Sequence, residues 1–463
     1  MAEKITCISP VDGRVYASRP VASRKQIAGA FAAARAAQER WKRLPLAERA
    51  AYCTAAVDAM VAMTDEIVPE LAWQMGRPIR YGAGEVRGFE ERARYMISIA
   101  EPALADIDPG PKEGFVRYIR RDPLGVVFTI APWNYPYLTA VNSVIPALMA
   151  GNTVVLKHAA STLLVAERFH QAFDRAKLPP DVFQHLVLSH PQVGEVIRNR
   201  LADMVCFTGS VAGGKAMEEA SAGRFINVGL ELGGKDPAYV RPDANLAHAV
   251  ENLVDGSFFN SGQSCCAIER IYVHEQVWSE FLDGFVDLTR KYVLGSPLEP
   301  ATTLGPMVRP EAAAFVRKQI AAAVRAGATP HIDAKAFPMD RRGTPYLAPQ
   351  VLTGVTHGMS VMMDESFGPV IGLMKVSGDG EAIELMNDSP YGLTAAIWTE
   401  DVDAAQAIGR DIETGTVFMN RCDYLDPALT WTGVKDTGRG ATLSKLGYEA
   451  LTRPKSYHLR TRT

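Results

Sequence analysis

From Gly125 onward, short apolar runs alternate with longer amphipathic stretches, and that alternation leaves few architectures open. Segments 126–130, 153–156, 183–188, 204–207 and 226–232 are apolar nearly throughout, as strands buried on both faces must be. Between them, 161–177 and 213–222 predict helices. Strands alternating with helices pair in parallel, so a doubly wound α/β sheet is expected. A second such set begins after Gly234, with helices over 246–260 and 277–292 and strands over 271–274, 370–374, 394–398 and 416–419. The first hundred residues read as helical instead. Ile27, Phe31, Ala34, Gln38 and Trp41 form one stripe, and Ala50, Cys53, Val57, Met60 and Thr64 form the next. Gly76 and Pro78 mark a stop. Segments 115–121 and 454–460 look extended and lie outside both sets. They predict either an arm that pairs with another subunit or two ordinary edge strands.

At 463 residues the chain exceeds what one core can fill, so two or three domains are expected. A net charge of -3 offers no electrostatic case for nucleic acid or an anionic membrane. No apolar run reaches the roughly 20 residues that span a bilayer, and no signal segment opens the sequence, so a cytoplasmic location is expected. Six cysteines without CxxC spacing fit reduced thiols. Nine scattered histidines show no zinc spacing, so no metal is expected.

The chemistry concentrates in two segments 34 residues apart: Glu231 in Leu230-Glu231-Leu232-Gly233-Gly234-Lys235, and the thiol pair in Gly262-Gln263-Ser264-Cys265-Cys266. A loop cysteine attacks a carbonyl carbon, and a carboxylate beside it activates the water that releases the product. Glu231 alone reads rather as a strand-end carboxylate bound to Lys235, and as a base only beside the thiol and the amide. In Pro132-Trp133-Asn134, prolines on both sides hold an amide that could steady an oxyanion, although asparagine is also common in turns. Phe207-Thr208-Gly209-Ser210, followed by Gly213-Gly214-Lys215, is a glycine-rich turn before a helix. It is a site for pyrophosphate or a plain strand–turn–helix. It is not a Walker A loop, because Ala216 stands where Ser or Thr is required.

Taken in order, these motifs resemble the aldehyde dehydrogenase superfamily over nearly the whole length. Leu156-Lys157, Glu365-Ser366-Phe367-Gly368-Pro369 and Gly433-Val434-Lys435-Asp436-Thr437-Gly438 extend the match. The resemblance implies two Rossmann-like doubly wound domains with a small β arm for oligomerisation. A dinucleotide-binding domain would comprise 1–104 and 124–232, a catalytic domain 233–440, and an arm 105–123 with 441–463. It chooses Cys265 over Cys266 as nucleophile, makes Glu231 the base, and forms the oxyanion hole from Asn134 and the Cys265 amide. Lys157 would hold the adenosine ribose, Gly209 and Ser210 the pyrophosphate, and Glu365 the nicotinamide ribose, with Trp133 and Phe367 beside it. The implied reaction oxidises an aldehyde to its acid with NAD or NADP in a homodimer or homotetramer.

Three departures bear on specificity. Lys157-His158-Ala159-Ala160 lacks the glutamate that repels a 2′-phosphate, so Ala160 permits NADP; His158 reads as a phosphate partner or an exposed surface residue. Trp431 stands where relatives carry Phe in their Pro-Phe-Gly-Gly. Eight residues past Asn134, where relatives place Trp or a carboxylate-binding Arg, this chain has Asn142. Asn142, Arg421, Trp431, Ser264 and Cys266 are the candidates for the substrate pocket, with Arg421 either meeting an acidic substrate or pairing with Asp423 or Asp426. The Lys157-His158 variant resembles a semialdehyde-oxidising subgroup. A thioester hydrolase and a catalytically silent member of the fold are the competing readings.

Overall fold

The computed structural model describes residues 3–462. Two largely parallel sheets organise the chain. The first runs Gly438–Arg439, Asn227–Glu231, Met204–Thr208, Val126–Ala131, Thr153–His158, Phe183–His185, with only Gly438–Arg439 antiparallel. The second runs Thr329–Pro330, Gln350–Thr353, Val370–Val376, Ile268–His274, Asp236–Val240, Thr394–Trp398, Thr416–Met419, with only Thr329–Pro330 antiparallel. Val126–Ala131, Thr153–His158 and Asp236–Val240 are buried at every position, as parallel strands covered by helices on both faces must be. The α/β expectation is met, with each expected strand present within three residues of its expected ends. Segment 246–260 is helical only to Phe258, after which the chain turns through left-handed Asn260 and Ser261.

The N-terminal expectation needs correction at its start. Lys4–Ile8 and Val15–Pro20 form an antiparallel hairpin that packs Cys7 and Ala17 on Leu163. Helices follow. Arg24–Trp41 buries Ile27, Phe31, Ala34, Gln38 and Trp41, and Ser23 with Gln26 forms its capping box. The next stripe is interrupted: Leu46–Val61 ends before Thr64, which opens the helix Thr64–Met75. Gly76, in the left-handed conformation, terminates that helix. Ile79–Ser98 then packs against a helix that no sequence pattern announced, Pro136–Met149. Twelve of its 14 residues are buried, so it lacks the polar face that produces a 3.6-residue period, and Pro146 inside it reads as a breaker. Burying each of Val144, Ile145 and Leu148 stabilises by about 1.5–3 kcal/mol, and together they outweigh the roughly 3 kcal/mol that an interior proline costs.

Segments 115–121 and 454–460 join neither large sheet. Phe115–Pro123 and Thr452–Arg460 pair with each other in an antiparallel ribbon, with Tyr118 stacked on Tyr457 at 4.5 Å. Among the described residues, no helix is long and apolar enough to cross a membrane.

Candidate active site

The motif residues gather between the C-terminal edge of the first sheet and the N-terminal edge of the second. Trp133 and Asn134 follow the strand ending at Ala131, Lys157 precedes the last residue of its strand, Gly209 and Ser210 follow Thr208, and Glu231 ends its own. Opposite them, Gly233-Gly234-Lys235 leads into Asp236–Val240, the cysteine loop into Ile268–His274, and Glu365–Phe367 into Val370–Val376. In open parallel sheets the C-terminal edge is where ligands bind. Contacts close the gap: the Gly234 N–H donates to Glu365 Oε1 at 3.1 Å, and Trp133 meets Phe367 edge-on at 5.7 Å.

The cysteine loop is held in an unusual shape. Asn260, Ser261 and Gly262 are successively left-handed, at φ 52°, 59° and 69°. A Cβ at Gly262 would run into the Gly368 carbonyl, so only glycine fits there. Ser261 Oγ donates to the Gly305 carbonyl at 2.7 Å, and Gln263 Oε1 accepts from Val308 N at 2.8 Å. This anchoring presents Cys265 on a cavity of about 420 Å³, shared with Glu231, Thr208, Asn142, Ser264 and Trp431. Cys266 lines the same cavity but is only 3% exposed, and its thiol donates to Asp423 Oδ1 at 3.0 Å. A hydrogen bond with Cys265, burial and the nearby Asp423 push the Cys266 thiol well above the ordinary thiol range. A thiol that keeps its proton is a poor nucleophile, and among the described residues Cys265 has no such bond to Asp423.

Glu231 is not bound to Lys235. It accepts from Thr208 Oγ1 at 3.0 Å and from Thr442 Oγ1, and burial raises its carboxyl above the usual range despite those bonds. Lys235 instead pairs with the buried Glu269 at 2.5 Å. Glu269 also accepts from the Ser366 and Phe367 amides, which positions the Glu365 loop. Asn134 is buried and its Nδ2 donates to the Gln263 carbonyl at 3.3 Å, so the amide is directed at the cysteine loop. The Asn134 carbonyl accepts from Arg77 Nη2 at 2.5 Å. Arg77 is paired with Glu85, both fully enclosed, and Glu85 Oε1 accepts from Tyr137 N at 2.9 Å and Leu138 N at 3.1 Å, satisfying first-turn amides of Pro136–Met149. Arg77 and Glu85 escaped the sequence reading, because nothing local distinguishes them from surface charges.

Lys157 is 7% exposed, its ammonium has no acceptor among the described residues, and burial pushes it down to about 8. Such an orphaned cation fits a ligand rich in hydroxyl or phosphate oxygens. Ser210 caps Val211–Ser221 by accepting from Gly213 N at 3.2 Å, at an exposed helix start. Burial and the neighbouring Glu269 push Glu365 up to about 8. Two expectations fail. His158 is neither exposed nor a phosphate partner: it is 5% exposed, Nδ1 accepts from Ala159 N and meets Thr162 Oγ1, Nε2 meets the Pro136 carbonyl, and burial pushes it down to about 3. Arg421 does not line the cavity and pairs with neither Asp423 nor Asp426; exposed, it stacks on Tyr424 at 3.4 Å instead.

A model of the aldehyde dehydrogenase family matches residues 1–457. The chain is 34% identical to a protein from Mycobacterium avium named succinate-semialdehyde dehydrogenase [NADP(+)], over 98% of this chain and 96% of that one. Among solved structures, an NAD-dependent aldehyde dehydrogenase from Sinorhizobium meliloti is 31% identical with a TM-score of 0.94, covering 99% of this chain and 92% of the other. An NADP-dependent glyceraldehyde-3-phosphate dehydrogenase from Bacillus halodurans, complexed with NADP, is 32% identical with a TM-score of 0.93, covering 99% and 96%. With fold, motif order and full-length similarity in agreement, the chain belongs to the aldehyde dehydrogenase family.

Proposed function

We propose that the protein oxidises a semialdehyde to its carboxylic acid with NAD(P)+ through a covalent Cys265 adduct. The observation that carries this reading is that Cys265 and Glu231 share one cavity while the Asn134 amide is turned to the cysteine loop. The Cys265 sulfur adds to the aldehyde carbon, and the carbonyl π electrons move to oxygen as an alkoxide that Asn134 Nδ2 and the Cys265 amide steady. A bound NAD(P)+ would supply the hydride acceptor, and loss of hydride from that carbon would leave a thioester on Cys265. Glu231 then removes a proton from water, the hydroxyl attacks the thioester, and the C–S bond breaks to return the thiolate and release the acid. Burial favours Glu231 as a base by raising its proton affinity.

Lys157, Gly209, Ser210, Trp133, Glu365 and Phe367 would hold the dinucleotide. Ala160 sets no negative charge against a 2′-phosphate, and two of the relatives above carry NADP in their names. The semialdehyde reading rests on the Mycobacterium relative's name. We assign 1–104 with 124–232 to dinucleotide binding, 233–440 to catalysis, and 105–123 with 441–463, which contain the ribbon of Phe115–Pro123 with Thr452–Arg460, to assembly as a dimer or tetramer. Absorbance at 340 nm with succinate semialdehyde and either NAD or NADP tests the reaction; absence of dinucleotide reduction with both rejects it.

A further inference from the structure

We propose that Arg92 and Asn142 form a subsite for a carboxylate at the far end of the aldehyde, which makes short carboxylated aldehydes the preferred substrates. The proposal rests on the reading of Cys265 as the site of oxidation. Arg92 projects from Ile79–Ser98 and Asn142 from Pro136–Met149, and both line the cavity of Cys265 and Glu231. The two helices approach closely at Gly88, where an added Cβ would strike Leu138. One turn on, Arg92 Nη1 donates to the Leu138 carbonyl at 2.7 Å and to Asn142 Oδ1 at 3.3 Å.

Those two bonds leave most of the guanidinium unmatched. Arg92 is 8% exposed, yet among the described residues it makes no ion pair, and its Nε and Nη2 have no acceptor. A guanidinium carries five N–H donors, and leaving several unmatched in a desolvated wall is unfavourable unless a ligand takes them. Asn142 is 3% exposed, and its Nδ2 is buried without a partner. Its orientation is dictated by Arg92, which can only donate and so must face Oδ1, leaving Nδ2 as the unpaired end. An amide donor and a guanidinium fork side by side match a carboxylate.

Three of the four carboxylates on this wall, all but Asp255, have other hydrogen-bond partners. Glu231 is held by Thr208 and Thr442, Asp423 by Ser264 and Cys266, and Glu91 by Tyr424 Oη at 2.9 Å. Asp255 is pushed up to about 6 by burial, and the exposed Arg87 adds a second cation at the rim. Burial lowers the proton affinity of Arg92, and the nearby Glu85, Cys266, Glu231 and Cys265 oppose that, so Arg92 lies within electrostatic reach of the reacting centre. The cation on this wall thus comes from position 92, on the helix packed beside Asn142.

The test compares kcat/KM for succinate semialdehyde with that for butanal, in the full-length protein and in Arg92→Gln, Arg92→Lys and Asn142→Asp. The ratio of the two falls by roughly 10- to 100-fold in Arg92→Gln, chiefly through KM, and Arg92→Lys recovers part of it. Asn142→Asp keeps an acceptor for Arg92 but replaces the unpaired donor with negative charge, so it lowers the ratio as well. Thermal stabilisation by succinate needs no turnover and disappears in Arg92→Gln. If the wild type reduces no dinucleotide yet succinate stabilises it and not Arg92→Gln, the carboxylate subsite stands and the oxidation reading falls. An unchanged ratio in Arg92→Gln and Asn142→Asp overturns the subsite, as does a wild type that prefers butanal.

Discussion

Replacing Glu85 with Gln tests how the oxyanion donor is held. Arg77 and Glu85 are 2% and 1% exposed, and the pair ties Asn134 to the first turn of Pro136–Met149. The amide introduced by Glu85→Gln would keep an oxygen for the Tyr137 and Leu138 N–H groups, so the substitution removes the charge and little else. Arg77 then retains the Asn134 carbonyl, Asn260 Oδ1 at 3.4 Å and the face of Tyr135 at 4.6 Å, none of them an anion. Stranding a buried charge in this way costs about 3–5 kcal/mol. With a urea m-value of about 3 kcal/mol/M, the unfolding midpoint drops by about 1 M or more. A small displacement of Asn134 is expected to lower kcat by roughly 10-fold, since positioning errors near 1 Å cost more than that. Adding Arg77→Met removes the orphaned cation and should recover part of the stability. Urea titration followed by tryptophan fluorescence and by circular dichroism measures the shift. A midpoint within about 0.2 M of wild type, which is well under 1 kcal/mol, would refute the reasoning.

Cys265→Ala abolishes turnover and leaves dinucleotide affinity near the wild-type value by fluorescence titration, whereas Cys266→Ala still turns over; the reverse pattern moves the nucleophile to Cys266. Glu231→Gln slows thioester hydrolysis by about 100-fold or more, so stopped-flow absorbance shows a burst followed by a slow steady state. Because burial raises Glu231, the acid limb of the wild-type steady-state rate lies above the ordinary carboxylate value of about 4.3 and vanishes in the Gln variant; an undiminished rate without a burst contradicts the assignment. His158 is held neutral in the fold down to about 3, whereas unfolded histidine takes its proton near 6.5. The unfolded state therefore binds the proton first as pH falls, so stability is lost below about 6.5, amounting to about 2 kcal/mol by pH 5. Unfolding profiles of His158→Gln should be flatter over that window, and identical slopes would exclude a buried neutral imidazole.

Legibility in the sequence followed how local the cause was. The parallel strands were readable because each carries its own requirement, an apolar run buried on two faces. Pro136–Met149 was not, since a helix enclosed by its neighbours has no polar face to generate a period. The hairpin Lys4–Ile8 with Val15–Pro20 was missed where helices dominate the following residues. Of the site, Glu231, Cys265 and Asn134 were identified as motif residues, and the fold brings their elements together.

Chain order alone determined the class of fold and the residue types gathered for carbonyl chemistry, since both are written in periods and short spacings. Only tertiary structure decided which of two adjacent thiols is tied to Asp423, that His158 is enclosed, that Arg421 faces outward, and that Arg92 reaches the cavity beside Asn142. Burial and hydrogen-bond partnership are properties of neighbours distant in sequence. Arg92 and Asn142 are 50 residues apart, and only the packing of two helices makes them one site.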